Sequence, residues 1–157
     1  MSKKILAWLA VIAWMGVIYY FSSQPNLKYE FTPLWDFIFR KIAHMAEFFI
    51  LTYLLFSAYQ NHNLSIKKSV TLAILVAVLY AFFDEWHQSF VAGRAGAVND
   101  VLIDTSGCII FTVLKFFEKN RYLSIKKTAV FGSYFLVFFL IRVTIYGNSD
   151  IAKWPLM

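Results

Sequence analysis

Apolar residues run along this chain in long blocks, each ended by a short group of charged or turn-forming residues, and the block lengths predict helices that cross a membrane. Five blocks can be traced, at residues 5–21, about 42–59, about 70–83 with an extension to His87, about 98–117 and about 129–146. About 17–25 helical residues cover the hydrocarbon of a bilayer, so four of the blocks reach across unaided. The third is shorter and spans because its last turn carries the polar residues 84–88 toward the interface. Lys3 and Lys4 give the first block the look of a secretory leader, yet no small-x-small cleavage site follows it. Trp14, Tyr19 and Tyr20 suit an interfacial anchor instead, and the segment is expected to be retained. The expected architecture is all-α: a polytopic membrane helix bundle of about five transmembrane segments, residues 1–157 in a single membrane domain, with the first and last segments peripheral.

Orientation follows from where the cations fall if the segments alternate. Lys3, Lys4, Lys67, Lys68, Lys115, Lys119, Arg121, Lys126 and Lys127 share one side, against Lys28, Arg40, Lys41, Arg94 and Lys153 on the other. The richer side is cytoplasmic by the positive-inside rule, which puts the N-terminus in the cytoplasm. The pentapeptide Leu-Ser-Ile-Lys-Lys occurs twice on that side, at 64–68 and 123–127, as a Ser-capped basic helix entry. Arg142 lies inside the last block and is expected to face the bundle or to snorkel.

Composition narrows the class further. A chain that is 60% hydrophobic and 20% aromatic, with mean hydropathy +0.60, lacks the charged surface of a soluble domain and is expected in the cell membrane as a multi-pass protein. Its net charge of +6 does not point to nucleic acid, because the lysines flank apolar blocks and form no separate basic stripe. The lone Cys108 excludes a disulfide framework and a thiolate metal site, and reads as a small core residue. No glycine-rich phosphate loop is present, and Ser22, Ser23 and Ser106 have no nucleophile-elbow context. No motif assigns a cofactor.

Against this background, five of the nine acidic residues fall in three short stretches, 41–47, 84–94 and 99–104, together with His44, His87 and Arg94. Ionisable groups at the edges of membrane segments are costly to keep and are candidates for function. Alternating topology brings all three stretches to the outer face. Lys41, His44 and Glu47 line one stripe of the second helix, and Asp100, Asp104 and Gly107 one face of the fourth, where the glycine admits a neighbouring backbone. Glu85 and Gln88 share a face at the end of the third helix, with Asp84 flanking, and the loop after it is short enough to fold Arg94 back over the carboxylates.

The pattern Lys41-x-x-His44-x-x-Glu47-Phe48, then Glu85-x-x-Gln88-x-Phe90, Gly93-Arg94, Asp100 and Gly107 resembles the VanZ-like family of small integral membrane proteins. The resemblance covers about residues 5–117 and leaves an extra C-terminal segment, about 118–157. It implies a protein of the bacterial cell envelope, with a link to susceptibility to the glycopeptide teicoplanin. Two positions depart from the family pattern: Asp104 stands where members typically carry asparagine, and Ala97 where serine is frequent.

These residues suggest roles that chemistry can define. Lys41 and Arg94, with Gln88 and Asp104, are the candidate substrate-binding groups, since a guanidinium fork suits a phosphate or carboxylate. His44, Glu47, Glu85 and Asp100 are the candidate catalytic groups, because imidazole beside carboxylate is the usual arrangement for moving a proton. The expected partners are membrane lipids or lipid-linked cell-wall precursors. Alternatives stay open: Arg94 with Glu85 or Asp100 as an ion pair locking three helix ends, His44 as a structural histidine bonded to Glu47 or to a fourth-helix acid, or the carboxylates as a proton or cation path. Metal ligation by His44, Glu47, Glu85 and an aspartate has the right atom types but no tight motif such as His-Glu-x-x-His, and no metal is assigned.

Overall fold

A computed structural model describes residues 2–24, 33–92, 94 and 98–119. They form four helices, α1 (Lys3–Ser22), α2 (Pro33–Gln60), α3 (Ile66–Gln88) and α4 (Val98–Lys119), and no strand occurs among the described residues. Contacts divide the chain into two compact units, Met1–Leu114 and Lys115–Met157, and the four helices lie in the first apart from the last turn of α4. The fifth apolar block, Arg142 and the second pentapeptide lie outside the described residues.

Local chemistry sets the helix ends. Ser2 caps α1 by accepting from the Ile5 N–H at 3.4 Å, and Ser65 caps α3 by accepting from the Lys68 N–H at 3.4 Å, as expected for the first pentapeptide. Pro33 opens α2 at the first helical position, where a missing N–H leaves nothing unbonded. The turn from α2 to α3 uses Asn63 at φ 58°, a left-handed conformation that asparagine tolerates. Gln60 then closes it by donating to the Leu64 carbonyl at 3.1 Å and the Ser69 hydroxyl at 2.7 Å.

Packing gives the helices an alternating sense. On α1 and α2, Trp14 meets the Glu47 carbonyl while Trp8 meets Tyr59, so the two run antiparallel. On α1 and α3, the Tyr80 hydroxyl donates to the Met15 carbonyl at 2.7 Å and Ser22 donates to Asp84, so these two run parallel. On α2 and α4, Lys41 pairs with Asp100, His44 with Asp104, and the Met45 backbone with Gly107, so these also run parallel. The core between them holds Ile18, Phe48, Leu51, Leu55 and Ala58. Ser69, Ala73, Ala77 and Ala81, spaced by four along α3, are fully buried and let its backbone come close to its neighbours. Large apolar side chains such as Leu6, Ile12, Leu75, Leu79, Phe82 and Ile109 point outward, the reverse of a soluble protein and the surface that lipid requires.

Three helices, α1, residues Arg40–Gln60 of α2, and α3, are long and apolar enough to cross a membrane. The chain is therefore an all-helical, multi-pass membrane protein. Helix α4 is as long, with 22 residues, but Asp100 and Asp104 in its first turns set it apart in composition. One expectation is corrected: α1 is not peripheral. It packs on both α2 and α3, burying Val11, Ile18, Phe21 and Ser22, because its C-terminal end supplies a hydroxyl to the acids of α3. Nor does Trp14 act as an anchor at a helix end. Its indole is partly buried against α2 and donates to the Glu47 carbonyl at 3.0 Å.

Candidate functional site

Because α2 and α4 enter, and α1 and α3 leave, at the same end of the bundle, four helix ends converge there. The outer layer of polar groups is the ion pair between Lys41 and Asp100, whose side chains are 22% and 28% exposed. One helical turn deeper on the same two helices, His44 Nδ1 faces Asp104 Oδ1 at 3.4 Å, with the Asp104 side chain 1% exposed. A step of about one turn on each helix, three residues from 41 to 44 on α2 and four from 100 to 104 on α4, is what parallel helices at one register produce. Gly107 holds that register, since a Cβ there would run into the Met45 carbonyl and the Phe49 amide of α2.

Helix α3 adds a second pair of acids. Asp84 and Glu85 are both buried, as is Gln88 one turn on. Ser22 of α1 donates to Asp84 Oδ2 at 2.9 Å, and the Gln88 amide donates to the same oxygen at 2.7 Å and to Glu85 Oε1 at 3.4 Å. The other end of that amide accepts from Arg94 Nη1 at 2.9 Å. Arg94 also donates to the carbonyls of Gln24 at 2.8 Å and Phe21 at 3.0 Å, which ties the loop to the C-terminal end of α1. Arg94 thus does fold back over the acids, and Gln88 relays it to them. His87, one residue before Gln88, stacks on Tyr19 at 4.4 Å between ring centroids and shares a 3.0 Å hydrogen bond with Ser23.

The eight residues singled out from sequence therefore gather at one end of the bundle. His44, Glu85 and Asp104 meet in its interior, Lys41 and Asp100 form the partly exposed layer above, Gln88 and Arg94 bridge to α1, and Glu47 is buried one turn beyond His44. Of the two partners foreseen for His44, the fourth-helix acid is the one its Nδ1 faces. Asp84 and Ser22 were not among those eight. Asp84 sits at the centre, 1% exposed, and one oxygen each of Asp84, Glu85 and Asp104 lies within 4.8 Å of the others and of a His44 ring nitrogen. The signal for it was present: Asp84 precedes Gln88 by four residues, a closer facial match than the three that separate Glu85 from Gln88, and the buried stripe 69, 73, 77, 81 leads to that face. Ser22 had no comparable signal, because nothing local tells α1 which turn of α3 it will meet.

Smaller sequence readings hold as well. Cys108 is fully buried, and Ser106 donates to the Ile103 carbonyl of its own helix at 2.5 Å. His62 accepts from the Trp8 indole at 3.1 Å at the opposite end of the bundle.

Comparison with known proteins places this arrangement. No solved structure matches the chain. It is 33% identical over 111 residues to the uncharacterized membrane protein YwnJ of Bacillus subtilis (strain 168), an alignment that covers 67% of this chain and 73% of that one. The profile of the VanZ/LLP1 family matches residues 7–119, which takes in α1 from Ala7 onward, α2, α3, α4 and every polar residue of the cluster. On the strength of that match, the chain belongs to the VanZ/LLP1 family.

Proposed function

We propose that this protein engages or modifies the polar head group of a membrane lipid, or of a lipid-linked cell-wall intermediate, at the cluster end of the bundle. The observation that carries the reading is the meeting of an imidazole and three buried carboxylates directly beneath the partly exposed Lys41–Asp100 layer, in a bundle whose flanks are apolar. A head group lying at the membrane surface would meet Lys41 first. His44, ordered by Asp104, and Glu85 would then exchange protons with it, and Arg94 would hold its anionic part or shape the rim through Gln88. An effect on glycopeptide susceptibility would follow if the intermediate is a wall precursor. The deciding experiment is mass spectrometry of total lipids and lipid-linked wall precursors from cells making the wild type or Glu85→Gln at equal abundance. A species that appears or disappears only with the wild type is expected; identical profiles would remove the modifying role.

A second reading has one observation in its favour. Arg94 donates to two backbone carbonyls at the end of α1, which is what a folding clamp does. Under that reading Arg94→Ala lowers thermal stability and leaves the lipid profile of correctly inserted protein unchanged. A proton or cation path draws less support. Below the cluster the buried positions are mainly Phe48, Leu51, Leu55 and alanines, Thr52 and Thr112 donate to carbonyls of their own helices at 2.8 and 2.9 Å, and Ser69 accepts from Gln60 at 2.7 Å.

A further inference from the structure

We propose that His44, Asp84, Glu85 and Asp104 form a binding site for a single divalent transition-metal ion of the Mn2+ or Zn2+ kind. Each offers one ligand atom, and these atoms all lie within 4.8 Å of one another. Ligands about 2.1 Å from a common ion stand roughly 3–4 Å apart, so the widest-spaced of the four groups need to close by about 1–2 Å to share one.

A gathering of acids alone would not justify a metal. The independent observation is Asp104, which is fully buried and whose two carboxylate oxygens have no hydrogen-bond partner among the described residues. Buried polar atoms are nearly always bonded, and a buried carboxylate that faces His44 Nδ1 at 3.4 Å but accepts no hydrogen bond calls for something positive beside it. His44 Nδ1, which it faces, is also without a hydrogen bond, and their 3.4 Å separation is long for a hydrogen bond yet ordinary for neighbouring ligands of one ion. Asp84 shows the complementary feature. Ser22 and Gln88 both donate to its Oδ2, the outer-shell bonding that orients a ligating carboxylate. Three carboxylates and one imidazole favour a transition ion that accepts both nitrogen and oxygen over Mg2+ or Ca2+, which favour oxygen alone.

The site uses the same side chains as the head-group reading but does not depend on it. A metal there would present a positive centre to a head-group oxyanion, yet its binding can be measured on purified protein without any lipid substrate. A silent lipid profile with bound metal would remove the function and leave the site.

The test is Mn2+ titration of the full chain in detergent, read by electron paramagnetic resonance, with Zn2+ as competitor and electron spin echo modulation to detect a nitrogen nucleus on the ion. About one Mn2+ per chain is expected, displaced by Zn2+, with a nitrogen coupling that survives His62→Gln and His87→Gln and disappears in His44→Gln. Asp104→Asn, which keeps the shape of the side chain, is expected to weaken binding roughly tenfold or more. Wild-type protein that takes up no Mn2+ or Zn2+ overturns the proposal and points to a shared proton as the neutralising charge. So does bound Mn2+ without nitrogen coupling, a result that needs no variant to fold, or an affinity unchanged in both His44→Gln and Asp104→Asn.

Discussion

Burial decides what each polar residue at the cluster end is worth. Ser22 and Gln88 both donate to Asp84 Oδ2, so removing either leaves a fully buried carboxylate with one donor fewer. Ser22→Ala is expected to cost about 1–2 kcal/mol, and Gln88→Ala about 2–3 kcal/mol because it also strips Arg94 Nη1 of its acceptor. Thermal unfolding of the detergent-solubilised protein measures both, and equal losses would deny Gln88 its bridging role. The Lys41–Asp100 pair sits at the other extreme. Each side chain is about a quarter exposed, so Lys41→Met should change stability by less than about 1 kcal/mol, in the range of surface pairs. A larger loss in the same assay would mean that the pair belongs energetically to the buried layer. Function is expected to separate the same two residues differently, since Lys41 stands where a head group would arrive.

At the scale of the helices, the register between α2 and α4 is what brings His44 to Asp104. A single glycine controls it. Gly107→Ala would put a methyl group onto the Met45 carbonyl, and because the obstacle is backbone, the whole of α4 must move away. A loss of about 1–3 kcal/mol is expected, as for other over-packed contacts, and with it weaker Mn2+ uptake although no ligand has changed. Gly16→Ala is the control, since nothing lies within 4 Å of a Cβ at that position. This role of Gly107 was legible in the sequence, because its spacing from Asp100 and Asp104 puts all three on one helical face. So were the apolar blocks, the Ser65 cap and the stripe of Lys41, His44 and Glu47. What sequence periodicity cannot carry is the depth at which two different helices meet. That is why Asp84 looked like a flank of Glu85 until Ser22 and Gln88 were seen converging on it, and why Trp14 looked like an anchor until its indole was seen bonded to α2.

For the molecule as a whole, the pairings of α1 with α3 and of α2 with α4 fix an up-down-up-down order, and that order puts residues 61–65 at the end opposite the cluster. Which end faces outward then rests on charge. Lys3, Lys4, Lys67 and Lys68 lie at the end away from the cluster, and cations in short loops stay cytoplasmic. The cluster is therefore expected on the outer side. A thiol-labelling experiment settles it with little background, because the native Cys108 is buried. Ala92→Cys, exposed beside the cluster, should react with a membrane-impermeant maleimide in intact cells, whereas Asn61→Cys, in the turn between α2 and α3, should react only after the membrane is opened. The reverse pattern would put His44 and its carboxylates at the cytoplasmic face. The head-group reading would then have to concern an intermediate before its export, while the metal site, which depends only on how the helices meet, would stand unchanged.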